Sequence, residues 1–399
     1  SRVRGWRRDW GSSGPPILWQ RRTSGPGYSG IAVVGNRLYT MMQEGPTEAV
    51  VCWDAETGRE LWRHRYAARF VSDQGSGPRA TPTVDDNRVY TLGATGILHC
   101  LDALTGVVQW KHDLVADFGG RIPEWGVAAS PLVDGDWLYV TPGGAQDTSV
   151  VCLEKKSGKV RWTSLNDRPA YSSPVIATAA GVRQLILLTG EGLVSLSLQD
   201  GRLYWRLPWS TSMDCNVATP ICHGDEIFIS SGYGKGCALL RVVARGAGAL
   251  DVETVYAHRR MRNHFSTSVL HKGHLYGFDE TQLVCMEWAT GKLRWEARGF
   301  RKGSVLISDG HLIILGENGK LALAEATPEA YRELCSVRVT RGRCWTVPTL
   351  AGGKLFIRDP RRIVCYDLRH ASGRAAKSAH ANEREYISTK SVVRESHRS

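Results

Sequence analysis

The sequence predicts an all-β fold, an eight-bladed β-propeller of four-stranded blades closed by an N-terminal strand. Three recurring patterns predict it. In the first, the stretch Val50 to Trp62 (VVCWDAETGRELW) joins a β-branched apolar run to a second short run through a Gly turn, the pattern of a hairpin. It recurs in copies ending at Trp110, Trp162, Trp205 and Trp295. In the second, a polar turn leads into a short apolar strand whose equivalent residues are Tyr39, Tyr90, Tyr139, Ile186, Phe228, Tyr276, Ile313 and Phe356. These eight copies lie 37 to 51 residues apart, the period of a four-stranded blade. In the third, a small or hydroxyl residue, often with Pro, opens another apolar run, as in Thr81-Pro82-Thr83-Val84 and Ser130-Pro131-Leu132-Val133. Proline suits the first residue of a strand, where no ladder hydrogen bond is lost.

Taken in order, residues 1–16 are basic, aperiodic and rich in Gly and Pro, and read as a flexible leader. Ile17–Gln20 then forms a lone strand ending next to the aromatic of the repeat, with no unit before it. Each unit supplies a Pro-led strand, a turn-led strand, a VVC-type strand and a Trp strand. The Trp marker skips from Trp205 to Trp295, and Tyr256 is expected to fill the gap. Unit five spends extra length on Arg245–Ala249, read as a hairpin tip, and unit seven replaces its TG turn with Ala324–Tyr331. Unit eight has no Trp strand. The lone N-terminal strand supplies one, which places Trp19 beside Ile363–Asp367 and removes the free sheet edges of an open ring. The propeller therefore spans residues 17–370, and residues 371–399, polar and without periodicity, are expected to form a disordered basic tail.

Charge and cysteines narrow the function classes. The net charge is +12, but residues 1–22 carry +5 and residues 371–399 carry +3, which leaves about +4 for the body between them. A nucleic-acid site concentrates basic charge on the folded body, so no nucleic-acid partner is expected. Cys52, Cys100, Cys152, Cys285 and Cys365 take the same place in separate units, too far apart for bridging within about 7 Å, and are expected to be small buried side chains. Of the irregular cysteines, the pair Cys335 and Cys344 stays open to a bridge. No apolar stretch reaches the ~20 residues of a membrane-spanning helix. The chain begins on Ser1 rather than Met, so a fragment or a processed form is expected, and any signal peptide or lipoprotein anchor would be lost with the missing start.

Within the repeat, Gly permits the tight turn, Asp and Thr can hydrogen-bond its backbone, and Trp buries a large flat surface against the next blade. All of these are structural roles. Gly232–Gly236 lacks the ending of a phosphate loop, and Gly27–Gly30 is half a nucleophile elbow with Ile31 where the second Gly belongs. Both read as turns.

The unit D-x-x-T-G-x-x-x-W is complete at Asp54–Trp62 and Asp102–Trp110 and altered at Glu154–Trp162, Ser197–Trp205 and Glu287–Trp295. It resembles the pyrroloquinoline-quinone-type (PQQ-like) β-propeller repeat, shared by quinoprotein alcohol dehydrogenases and BamB-like proteins of outer-membrane assembly. The resemblance implies two functions. The enzymatic branch oxidises alcohols or sugars with PQQ, a Ca²⁺ ion held by Glu and Asn, a catalytic Asp and an adjacent Cys–Cys disulfide. This sequence has no adjacent Cys pair and is short for that branch. The leading expectation is thus a non-catalytic, BamB-like binding scaffold with no catalytic residue, cofactor or metal. It would be a periplasmic monomer that docks protein or peptide segments on one face. The alternative is a PQQ- and Ca²⁺-dependent alcohol or sugar dehydrogenase.

Ligands of propellers gather where segments enter the innermost strands around the central channel. In this chain those segments carry Tyr28, Arg79, Trp125, Tyr171, Asp214, Asn216, Asn263, His264 and Trp345, the candidate site. Gly119–Trp125 is a long excursion before the first strand of unit three and the best candidate for a loop over the channel. Convergence of Asp214, Asn216 and a third oxygen within about 2.3–2.6 Å of one point would favour the calcium-dependent alternative.

Overall fold

Each repeat folds into one antiparallel sheet, because its apolar runs of three to nine residues are too short for anything but a meander. The structure, a computed structural model, describes residues 5–11 and 13–370. It contains eight four-stranded sheets, seven of them built from consecutive strands. The eighth takes Thr349–Ala351, Lys354–Asp359 and Arg362–Asp367 from one end of the chain and Ile17–Arg22 from the other. Trp19 lies opposite Cys365 in that closing pair, as the repeat requires. Innermost strands of neighbouring blades touch, including Ala32–Val34 with both Thr83–Asp85 and Thr349–Ala351, so the ring is closed.

One register recurs through the ring. Cys52 faces Trp62, Cys100 faces Trp110, Cys152 faces Trp162, Ser195 faces Trp205, Leu239 faces Tyr256 and Cys285 faces Trp295, with a bulge one residue later in each case. The five repeated cysteines are fully buried and all ten are free, so the bridge left open between Cys335 and Cys344 is not formed. Tyr256 takes the aromatic place as expected, and Gly246–Gly248 lies at the tip of the long hairpin in blade five. The Asp54 carboxylate accepts from the backbone of Glu56 and Thr57 and from the Thr57 hydroxyl, which locks the turn.

The leader needs correction. Residues 5–11 are not a free segment: Trp6 and Trp10 are 2% and 4% exposed, packed with Ile313, Leu323 and Leu355 between blades seven and eight. Trp6 Nε1 donates to Ser308 Oγ, and Arg7 N donates to the carbonyl of Leu368. The reason lies in blade seven. There the residue opposite Leu323 is Cys335, too small for the place an indole fills in most other blades. The two leader tryptophans pack against that gap. Residues 371–399, expected to be a disordered tail, lie outside the described residues.

Candidate functional site

In a meander of four strands, the connection into the innermost strand and the turn between the second and third strands emerge on the same face. Seven of the eight entering segments therefore meet around one mouth. Tyr28, Arg79, Trp125, Tyr171, Cys215, His264 with Phe265, and Trp345 line a cavity of about 310 Å³. Tyr233 joins them from the second-to-third turn of blade five, held at φ +55°. Trp125 is carried there by a short helix, Leu114–Phe118. Asp113 caps its N-terminus by accepting from Val115 N and Ala116 N, and Gly119 ends it at φ +60°.

The rings form a continuous arc. Tyr28 and Trp345 lie 5.5 Å apart, Trp345 and Phe265 5.3 Å, Phe265 and His264 6.4 Å, and His264 and Tyr233 4.8 Å. Tyr233 and Trp125 follow at 6.2 Å and Trp125 and Tyr171 at 5.9 Å. Tyr171 Oη also accepts from Trp125 N at 3.2 Å. Beside the arc, the Arg79 guanidinium sits 5.9 Å from the Tyr28 ring and 4.8 Å from Phe70, favourable cation–π placements. It donates to the carbonyls of Gly75 and Gly77 and forms no ion pair with a described residue, and burial pulls its pKa down. Among the described residues no Asp or Glu lines the cavity. Beneath the rings, hydroxyls tie neighbouring entries together: Ser130 Oγ accepts from Thr81 N, Ser173 Oγ from Ser130 N, and Thr267 Oγ1 from Thr219 N.

Chemically the mouth is a binding surface. Burial pushes the Cys215 thiol up to about 11, so it is not an activated nucleophile. His264 has Lys302 Nζ 2.9 Å from Nε2 and Glu280 Oε2 3.3 Å from Nδ1, which fixes the ring in place behind Tyr233.

Six of the nine expected residues meet at the mouth: Tyr28, Arg79, Trp125, Tyr171, His264 and Trp345. The other three do not line it, which corrects the expectation. Asp214 is held by Arg168, with Nε to Oδ2 at 2.9 Å. Asn216 is buried, donating to the carbonyls of Thr189 and Trp209 and accepting from Ser231 Oγ. Asn263 is buried too, donating to Phe278 O and accepting from Ser268 Oγ. These amides satisfy backbone groups that the bends at the axis leave unpaired. Among the described residues no three His, Cys, Asp or Glu side chains gather as a metal site. The residues present therefore do not fit a calcium-held quinone. Sequence reasoning missed Phe265 and Tyr233. The sequence signal for Tyr233 is an aromatic inside the Gly-rich turn Gly232–Gly236.

The chain matches the family profile described as outer membrane protein assembly factor BamB over residues 4–117 and 73–279, more than half its length. Among curated proteins, it is 22% identical over 261 residues to the outer membrane protein assembly factor BamB of Moranella endobia. That match covers 61% of this chain and 64% of the relative, just under two thirds of the latter. Among solved structures, BamB from Moraxella catarrhalis superposes with a TM-score of 0.61 at 15% identity, covering 89% of this chain and 98% of that one. The quinohemoprotein alcohol dehydrogenase ADHIIG of Pseudomonas putida HK5 gives 0.60 at 12% identity, over 88% and 76%. At such identities both likenesses speak for the propeller fold alone.

Proposed function

The chain belongs to the family of outer membrane protein assembly factor BamB, and from that premise we propose that it is a non-catalytic docking scaffold. Protein segments bind on its mouth face. By analogy with relatives named for outer membrane protein assembly, it works outside the cytoplasm, as a monomer, in the assembly of such proteins. The observation that carries this reading is the arc of aromatic rings around a cavity with no carboxylate and no activated nucleophile. Tyrosine and tryptophan offer large, rigid contact area at little entropic cost, which suits recognition of partner side chains.

A photo-crosslinking residue placed at Tyr233 of the full chain tests it. Cross-links to specific proteins that disappear in Trp125→Ala and Trp345→Ala variants support docking at the mouth. Cross-links unaffected by both variants would remove the mouth from the proposal, and turnover of an alcohol or sugar would replace it with the enzymatic reading.

A further inference from the structure

Closing the ring brings its first and last strands together on one rim, and the residues brought together there are arginines. An open groove of about 1160 Å³ runs across the rim of blade eight, between the connection that enters it from blade seven and the one that leaves it for blade one. Arg21, Arg22, Arg341, Arg361 and Arg362 line it, with Asp359 as its one acid. That acid is consumed: Oδ1 accepts from Arg361 N and Arg362 N, and Oδ2 from Thr340 Oγ1 at 2.6 Å and Arg362 Nε at 3.3 Å. Arg21 is turned to the carbonyls of Gly58 and Thr57. Arg22, Arg341 and Arg361 are exposed, and none takes part in an ion pair with a described residue.

Two features make this more than a scatter of surface charge. Arg22 stands directly opposite Arg362 in the strand pair that closes the ring, and like charges in that position destabilise a sheet. Behind the groove, Arg358 is 1% exposed and forms no ion pair with a described residue, its nearest acidic influence being Asp359. Its Nη1 donates to Ser29 O, Thr40 Oγ1 and Met41 O, while Nε and Nη2 have no hydrogen-bond partner. The facing arginines of the closing strands and the buried guanidinium beside them concentrate positive charge in one sector. The walls of the groove continue along the chain to the mouth, Gly25 and Pro26 running on to Tyr28 and Thr340–Gly342 running on to Trp345.

We propose that this groove receives an acidic segment of the docked protein, its carboxylates meeting Arg22, Arg341 and Arg361 while its inner end reaches the aromatic mouth. The inference rests on the docking reading and names the chemistry of the partner. Guanidinium groups pair carboxylates through two parallel hydrogen bonds, which suits a peptide lying along a row of them. A lipid surface is the weaker fit. The site is concave, and none of the exposed large apolar side chains lines it to anchor in a bilayer.

Fluorescence anisotropy on the full chain tests it, with a labelled Glu-Gly-Glu-Tyr repeat peptide and its Gln-Gly-Gln-Tyr counterpart. The acidic peptide should bind about tenfold or more tightly than the neutral one and weaken as salt rises. Joint reversal of Arg22→Glu, Arg341→Glu and Arg361→Glu should abolish that preference. Reversal of Arg59, Arg202 and Lys292 to Glu, beside turns on the opposite face, should keep it. Arg22→Glu alone faces Arg362 with a carboxylate and should raise the thermal midpoint, which separates lost binding from lost folding. Equal binding of the two peptides would overturn the acidic groove and leave docking intact. So would the absence of binding by either peptide while the Tyr233 cross-links persist. If anionic phosphatidylglycerol vesicles bind through these three arginines and the acidic peptide does not, the surface belongs to a membrane and the proposal fails.

Discussion

The indole of Trp62 lies on the backbone of Gly106 in the next blade, with its Nε1 donating to the carbonyl of Ala103 at 3.0 Å. The same pairing joins Trp19 to Gly58 and Ala55 O, Trp110 to Gly158 and Lys155 O, and Trp162 to Gly201 and Leu198 O. Tyr256 does the same with Gly291 and Trp288 O through its hydroxyl. The turn glycine thus has two jobs: it takes a positive φ, and it leaves room for the ring of the preceding blade. Trp205 breaks the pattern, donating to Gln184 Oε1 of its own blade, because blade five has a long hairpin where the Gly turn would be.

Gly106→Ala separates those two jobs. Its Cβ would fall 2.6 Å from the Trp62 ring, at φ +75°. Gly224→Ala shares the positive φ (+57°) but meets nothing within 4 Å. Urea denaturation should show a loss of about 1 kcal/mol for Gly224→Ala and about 3 kcal/mol for Gly106→Ala. Equal losses would mean that the ring contact contributes nothing.

The docked leader makes its own prediction. Trp6→Ala removes a buried indole and should destabilise the chain by about 3 kcal/mol. Limited proteolysis should then cut within residues 5–16 sooner than in the parent. An unchanged cleavage rate would mean that the leader is held by other contacts.

Acid sensitivity should trace to a polar layer between blades one and two. His64, Tyr66 and His99 cluster there, with ring centroids 4.5 to 5.9 Å apart. Burial, together with His64 and Lys111, pushes His99 down to about 4. An unfolded histidine takes its proton near 6.5. Between about 6.5 and 4 the unfolded state therefore binds more protons, so stability falls as the pH drops through that window and is untouched above it. The loss from pH 7 to pH 5 is about 2 kcal/mol. His99→Val, with the residue found at the matching place in blade four (Val194), should flatten that dependence in denaturation curves taken at the two pH values.

Calorimetric titration with PQQ, with and without Ca²⁺, should give no saturable heat. Asp214 is engaged with Arg168, and Asn216 is spent on Thr189 and Trp209. Calcium-dependent saturable binding would revive the dehydrogenase reading.

Much of the ring was legible because its signals are local and repeated. Blade count, aromatic register and turn glycines follow from apolar periodicity and turn chemistry within about 50 residues, and the closing strand from the Trp strand that unit eight lacks. The site was legible only in part. Entry into an innermost strand places a residue near the axis, which found Trp125, Tyr171 and Trp345, but loops have no period to say which way a side chain points. Asn216 and Asn263 turned inward to satisfy backbone, and Tyr233 reached the mouth from a turn. The sequence by itself determined the propeller and its family, since every unit repeats the same short-range instructions. Only the tertiary structure decided the aromatic arc, the docked leader and the arginine groove. Each depends on contacts between distant parts of the chain, such as Trp6 with Ser308 and Arg22 opposite Arg362, which exist only once the ring has closed.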